Sequence, residues 1–371
     1  MAGREVFGEE EIKAVTDVLK RKVLFRYGFD QQRQNIFKVA EFERAFADYI
    51  GVAHALGVSS GTASLKVALE ALDLPRGGEV ITTCFTFVAT VESIEEAGLK
   101  PVLCDMDESM NISPSGVEKK ITSKTVAVAP VHMMGAACDM APLMAIAKKR
   151  NVKVIEDACQ ATGASYRGKK LGAIGDMGCF SFDYVKVMTT GEGGMVVTND
   201  EKLHERADWL HDHGHPHLAG VPRGKEQRMG RGFNFRMDEI HGALGLAQLH
   251  KLDSVIARQK ENKKAIKEAI QNLPGVTFRT LHDPAGDIAT FLTFFLPTPS
   301  AAGKVREKMA AQGVAPATLG YWHFAALVGD DASSFAGSQE ILDRSVTLEI
   351  QTLMAPEQIQ KIIAAVRSAV T

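Results

Sequence analysis

Residues 175–200, GDMGCFSFDYVKVMTTGEGGMVVTND, hold a lysine in an apolar, glycine-rich setting where a solvated charge is not expected. Ser181 ends an apolar run, Lys186 follows shortly after, and the turn Gly191-Glu192-Gly193-Gly194 leads into a second apolar run. Desolvation lowers a lysine's pKa and favours the neutral amine, the form that condenses with a carbonyl to give a Schiff base. The competing reading is a lysine whose stem packs on apolar neighbours while its charge reaches water. Glu156-Asp157-Ala158-Cys159-Gln160 also follows an apolar run. An acidic residue at the end of a strand can face a cationic ligand group, or it can cap a helix or serve as a structural carboxylate. Ser59-Ser60-Gly61-Thr62-Ala63 follows a third run. Small residues there let the backbone approach an anion, and the first amides of the next helix attract phosphate. Ser or Thr before a helix is equally an ordinary N-cap.

His211, His213, His215 and His217 alternate within HDHGHPH. Period-two spacing on an extended chain would put them on one side, so a metal site has to be considered. Gly214 and Pro216 make such a cage hard to build, and a loop facing solvent or substrate, without metal, is the expectation. Met133-Met134 reads as packing.

These residues need elements to hold them. Residues 9–20 place Ile12, Val15, Val18 and Leu19 at helical spacing, and a second helix carries Phe42, Phe46 and Ile50 on one side. From residue 53 short apolar runs alternate with helical stretches: strands are expected at 55–58, 80–82, 101–104, 126–130 and 152–155, and helices at 63–72 and 87–97. That alternation predicts a largely parallel sheet covered on both faces. Strands at 178–182 and 195–198 leave no room for a complete crossover helix between them, so the sheet should be mixed. Open α/β sheets bind ligands at the carboxyl ends of their strands, which is where the three candidate segments fall. A long helix over 252–273, strands at 276–279 and 290–296, and helices at 301–312 and 356–370 read as a smaller α+β domain. The expected division is residues 1–249 and 250–371.

At 371 residues the chain exceeds what one core usually serves, which also favours two domains. A formal net charge of −2 supplies no large positive field for nucleic acid or an anionic membrane. Cys84, Cys104, Cys138, Cys159 and Cys179 are scattered and odd in number, arguing against a disulfide framework or a zinc site. The acidic N-terminal stretch does not resemble a secretory signal, and no apolar run approaches the roughly 20 residues that span a bilayer. A cytoplasmic, reducing location is expected.

The phrases SSGTASL, FTFVATVESI, EDACQATGASYRGKKLGAIGD, CFSFDYVK, GEGGMVVTND and GFNFRMDEIHGALGLAQL occur together and in order. In that combination the chain resembles the DegT-type sugar aminotransferases, enzymes of the pyridoxal-phosphate-dependent transferase fold type I. The resemblance implies a large domain with a mixed, mostly parallel sheet flanked by helices and a smaller C-terminal α+β domain. It implies pyridoxal 5'-phosphate as cofactor, with Lys186 as the Schiff-base lysine and acid–base group. By the same resemblance Asp157 pairs with the pyridine nitrogen, Gln160 hydrogen-bonds the phenolic oxygen and Phe87 stacks on the ring. Gly61, Thr62 and Ser181 hold the phosphate, and Asn234 reaches it from the partner subunit of a homodimer. Further phrases, FRYGFD, VHMMG, SFDYVK and DHGHPH, are similar to the 8-amino-3,8-dideoxy-octulosonate transaminases, which aminate C8 of an octulosonate using L-glutamate for cell-surface polysaccharide or lipopolysaccharide. The chain departs from that subgroup by being shorter between Tyr321 and Glu349. Arg26, His213, His215 and Arg231 are candidate substrate contacts, since arginine suits bidentate carboxylate binding; a structural salt bridge is the alternative for each arginine. Transamination of a nucleotide-linked ketosugar or a cyclitol is the rival substrate reading. The related dehydratases replace the lysine with histidine, and a non-catalytic regulator would carry a further module that this sequence does not resemble.

Overall fold

The computed structural model describes residues 2–218, 220–324 and 332–371. Helices α1 (Ala2–Glu5), α2 (Glu9–Arg21) and α3 (Lys38–Ile50) lead into alternating strands and helices. These are β1 (His54–Val58), α4 (Gly61–Ala71), β2 (Glu79–Thr83), α5 (Val88–Glu96), β3 (Lys100–Cys104), α6 (Pro114–Lys120), β4 (Thr125–Ala129), α7 (Met140–Arg150) and β5 (Lys153–Asp157). A small hairpin, β6 (Ser165–Tyr166) and β7 (Lys169–Lys170), precedes β8 (Met177–Ser181), β9 (Gly194–Thr198) and α8 (Glu201–His211).

Seven strands form one sheet in the order β1-β9-β8-β5-β4-β2-β3. β9 pairs antiparallel with β1 and β8, and the other neighbouring pairs are parallel. The link between β8 and β9 carries the Lys186 turn instead of a crossover helix, so β9 has to return antiparallel. The sheet is therefore mixed and mostly parallel, as its sequence spacing predicts. On one face Phe42 and Phe46 of α3 meet Phe180 and Phe182, with Phe46 edge-on to Phe180 at 5.0 Å. The other face is covered by α4 and α5 through Leu65, Val67, Leu69 and Ile94.

The long helix α9 (Glu239–Ile270) runs unbroken through Leu249, where the sequence suggests a domain division. Its first half packs on α3 at backbone distance: a Cβ on Gly242 would lie 2.6 Å from the Val39 amide nitrogen, and one on Gly245 would lie 2.4 Å from the Phe42 ring. Its last turns contribute Ile266 and Ile270 to the smaller domain's core. The helix belongs to both domains, and its start escapes an apolar-periodicity search because glycine and alanine form its packed face there. The smaller domain holds β10 (Thr277–Phe278), β11 (Phe291–Phe295), α10 (Pro299–Ala311), a helix Ala336–Arg344, β12 (Ser345–Glu349) and the C-terminal helix Pro356–Val370. Its three strands form an antiparallel sheet in the order β10-β11-β12.

Helix α2 differs from its expected apolar stripe. Val18 is buried, but Ile12 and Leu19 are 60% and 51% exposed. Glu11 is buried in their stead, accepting from Gln248 Nε2 and pairing with Lys251 Nζ, each at 2.8 Å. All five cysteines are free thiols, four of them buried.

Candidate active site

Lys186 sits in the turn between β8 and β9. Its backbone N–H donates to the Asp183 carbonyl at 2.9 Å, and its carbonyl accepts from the Gly3 N–H of α1 at 3.2 Å. A Cβ on Gly3 would lie 3.0 Å from both Lys186 O and Met188 Cα, so α1 braces this turn by backbone contact. The half-buried Lys186 side chain borders a cavity of about 430 Å³ whose wall also contains Gly61, Thr62, Phe87, Asp157, Gln160 and Ser181. The fold thus brings together seven of the residues singled out from sequence, drawn from β1–α4, the start of α5, the end of β5 and β8.

Asp157 ends β5 and is 3% exposed. Its Oδ2 accepts from Thr90 Oγ1 at 2.7 Å and its Oδ1 from the Cys159 N–H at 3.1 Å. Gln160 Oε1 accepts from the Met134 N–H at 2.9 Å, which leaves the amide NH2 as the donor end for the cavity. Gly61 opens α4, where Ser60 Oγ accepts from the Ala63 N–H at 3.0 Å as an N-cap. A Cβ on Gly61 would lie 2.6 Å from Ser181 Cβ, so the start of α4 and the end of β8 close on each other without room for a side chain. The first amides of α4, at Gly61 and Thr62 ahead of the capped Ala63, beside the Thr62 and Ser181 hydroxyls form a cradle suited to phosphate. Phe87 is 41% exposed at the start of α5, with its ring centroid 6.0 Å from that of Tyr321. An amine, a buried carboxylate, an amide donor, an exposed aromatic ring and a phosphate cradle on one cavity fit pyridoxal phosphate.

The remaining candidates lie elsewhere. Asn234 is exposed, outside the cavity wall, and bridges by its backbone to Asp212. The buried Asp212 carboxylate pairs with Arg223, with Arg236 Nη1 at 2.5 Å and with His217 Nε2 at 2.9 Å. Burial opposes that charge, but the cations prevail and hold its carboxyl far below the usual range. His217 also meets Asp208 at 2.7 Å and stacks on Tyr27 at 3.9 Å. His211 meets the Tyr27 hydroxyl at 2.9 Å, and burial followed by the charge of Arg26 pushes its pKa down to about 3. His215 Nδ1 meets Glu226 at 2.9 Å, while His213 is exposed. The histidines therefore diverge from the single face that period-two spacing suggests, because the turn at His213 (φ 52°) breaks the extended chain. Among the described residues no group of three or more His, Cys, Asp or Glu is arranged for a metal ion. Arg26 is buried, pairs with Glu43 and donates to Gly57 O at 3.1 Å; Arg231 is exposed. Neither lines the cavity.

Thr86, Thr90, Asp183, Glu192, Tyr321 and Trp322 line it without having been singled out from sequence. Trp322 is one of only two tryptophans in the chain, a signal that was available. Thr90 reaches Asp157 across 67 positions, which no local pattern records. No helix among the described residues is long and apolar enough to cross a membrane.

A model of the DegT/DnrJ/EryC1/StrS aminotransferase family matches residues 6–367. The chain is 34% identical to dTDP-3-amino-3,6-dideoxy-alpha-D-galactopyranose transaminase of Aneurinibacillus thermoaerophilus, over 89% of each protein. It is 43% identical to GDP-perosamine synthase of Caulobacter vibrioides over 60% of this chain, a match spanning 59% of that protein's length. An aminotransferase structure from Psychrobacter cryohalolentis superposes with a TM-score of 0.87 at 28% identity, covering 98% of this chain and 96% of the other. With the family match running nearly end to end over a cavity that fits the cofactor, the chain belongs to the DegT/DnrJ/EryC1/StrS family and is a pyridoxal-phosphate-dependent aminotransferase.

Proposed function

We propose that the protein transfers an amino group from L-glutamate to the carbonyl carbon of a nucleotide-linked ketosugar, working as a homodimer in the making of an amino sugar for cell-surface polysaccharide. The observation that carries the chemistry is the convergence of Lys186, Asp157 and Gln160 on one cavity beside the Gly61–Ser181 cradle. Pyridoxal phosphate, when bound, supplies an electron sink for the carbon next to the transferred nitrogen. Lys186 Nζ is the amine for covalent attachment and the base placed to move a proton at that carbon. Asp157 holds a proton at the ring nitrogen, and the Gln160 amide donates to the phenolic oxygen. Gly61, Thr62 and Ser181 fix the phosphate and so set the orientation of everything else.

The substrate reading shifts from C8 of an octulosonate to a nucleotide-linked ketosugar, with a cyclitol as the second arm of the same class. Asp183 and Glu192 line this cavity as carboxylates and Phe87, Tyr321 and Trp322 as aromatic rings, and among the described residues Lys186 is the only cation on its wall. That lining suits a neutral, hydroxyl-bearing ring. Relatives named for GDP- and dTDP-sugars support the same choice. The homodimer is supported by Asn234 lying exposed outside the cavity and by the exposed Ile12, Leu19, Met229 and Phe233.

Holoenzyme with glutamate should be offered a nucleotide-linked 4-ketosugar, an inosose and a free keto-octulosonate, with the amino product read by mass. Amination of the nucleotide sugar is expected. Turnover of the octulosonate alone, or inertness toward the nucleotide sugar, would overturn the substrate assignment.

A further inference from the structure

Asp157 can serve a ring nitrogen only if its carboxylate stays aimed at it. Two donors from different elements hold it. The Cys159 N–H, in the turn leaving β5, meets Oδ1 at 3.1 Å; the Thr90 hydroxyl, in the first turn of α5, meets Oδ2 at 2.7 Å. Thr90 is itself held, since its Oγ1 lies 2.7 Å from Thr86 Oγ1. The Thr86 backbone N–H in turn donates to the Trp322 carbonyl at 2.8 Å. Thr86 and Thr90 are fully or almost fully buried, at 0% and 2% exposure, and both border the cavity. A buried hydroxyl pair in this position has one acceptor that gains from it. A donor aimed at a carboxylate favours its charged form, and removing that donor leaves a buried oxygen lone pair unsatisfied. Thr86 and Thr90 also flank Phe87, the N-cap of α5 and the ring the family resemblance assigns to stacking on the cofactor, so the start of this helix carries both that ring and the donor to Asp157.

We propose that Thr90, backed by Thr86, is a positioning residue that orients the Asp157 carboxylate toward the cofactor's ring nitrogen. This rests on the cofactor assignment of the cavity, and the experiment separates the two. Thr90→Val removes the hydroxyl at nearly constant shape, and Thr90→Ser keeps it. Three quantities are read on purified protein: the dissociation constant for pyridoxal phosphate, the pH at which the bound cofactor's visible absorption titrates, and kcat against KM for the amino donor. Thr90→Val should weaken cofactor binding about 10-fold, displace the spectral titration and lower kcat about 10-fold with KM little changed. Thr90→Ser should restore all three to within roughly threefold of wild type. A merely structural threonine would lower the melting temperature of the apo-protein and leave the spectral titration in place, and that result overturns the proposal. Should Thr90→Val fail to fold, Thr86→Val reports on the same link: a smaller displacement in the same direction is expected, and none overturns it. Borohydride reduction of wild-type holoenzyme with peptide mapping tests the underlying assignment alone. A label missing from Lys186 sinks that assignment, whereas a label present with an unmoved Thr90→Val spectrum sinks only the role of Thr90.

Discussion

Glu156 and Asp157 are neighbours in sequence and opposite in use, because successive side chains of a strand point to opposite faces. Asp157 faces the cavity. Glu156 is fully buried behind it, accepting from the N–H groups of Gly172, Ile174 and Gly175 at 3.0, 2.6 and 2.7 Å and meeting His132 Nε2 at 3.0 Å. The Cys138 N–H donates to His132 Nδ1, so the imidazole proton resides on Nε2 and is given to Glu156. Substitution to the amide should therefore separate the two roles. Asp157→Asn should lower kcat by at least about 100-fold while leaving the urea midpoint close to wild type. Glu156→Gln should destabilise by about 1–3 kcal/mol, since its NH2 would face backbone donors, with a smaller loss in kcat. If the two variants behave alike in both assays, the division of labour along β5 is wrong. From sequence, the acidic pair, Lys186, Gln160 and the Gly61 corner are visible because each stands at the end of an apolar run. Thr90 and Tyr321 are not, since their relation to the cavity is made by contacts between distant segments.

At the scale of elements, strands, caps and the antiparallel return of β9 are legible because each follows from local spacing. The region from Ala336 to Glu349 is not: no expected element covers its helix and strand, and β12 acquires its place only by pairing with β11. The segment from His211 to Arg236 is the other such case. Its histidines suggest a shared face, whereas the structure ties His217 to both Asp208 and Asp212 and His215 to Glu226, sets His211 against Tyr27, and leaves His213 exposed. This network carries a pH dependence whose sign can be worked out. Burial opposes the His217 imidazolium, but the carboxylates of Asp208 and Asp212 outweigh it and raise its pKa in the folded chain. The tether it provides is then fully present below about pH 6.5, its unfolded value, and is lost as pH rises through the raised folded value. His211, held down to about 3, stays neutral across that window. Asp208 and Asp212, both lowered, stay ionised, and Tyr27, raised well above 10 by burial, stays neutral. Hydrogen exchange around His217 should quicken beyond the intrinsic trend as pH rises above about 6.5, and His217→Phe, which keeps the stacking on Tyr27, should remove the excess. An excess that survives in that variant assigns the effect to another group.

Across the whole molecule, α9 joins the two domains as a single rod, packing on α3 at one end and on β11 and β12 through the smaller domain's core at the other. The Lys186 turn is braced by α1 and the cavity is walled from the smaller-domain side by Tyr321 and Trp322, so its geometry depends on nearly the full length of the chain. One predicted contact is still missing from a single subunit. Asn234 is exposed on a loop that the Asp212 network stiffens, and it borders no part of the cavity of its own chain. If that loop completes the phosphate cradle of a second copy, each site draws on two chains, and two defects can complement. Lys186→Ala lacks the amine but retains Asn234, and Asn234→Asp retains the amine but sets a negative charge where phosphate should bind. Unfolded together and refolded at equal amounts, half of the dimers should be mixed, each with one intact site, so activity should reach roughly a quarter of wild type per subunit. Sites contained within single chains would instead give only the mean of the two parents. Activity at that mean, with mixed dimers verified by differential tagging, would remove Asn234 from the site and with it the shared cavity.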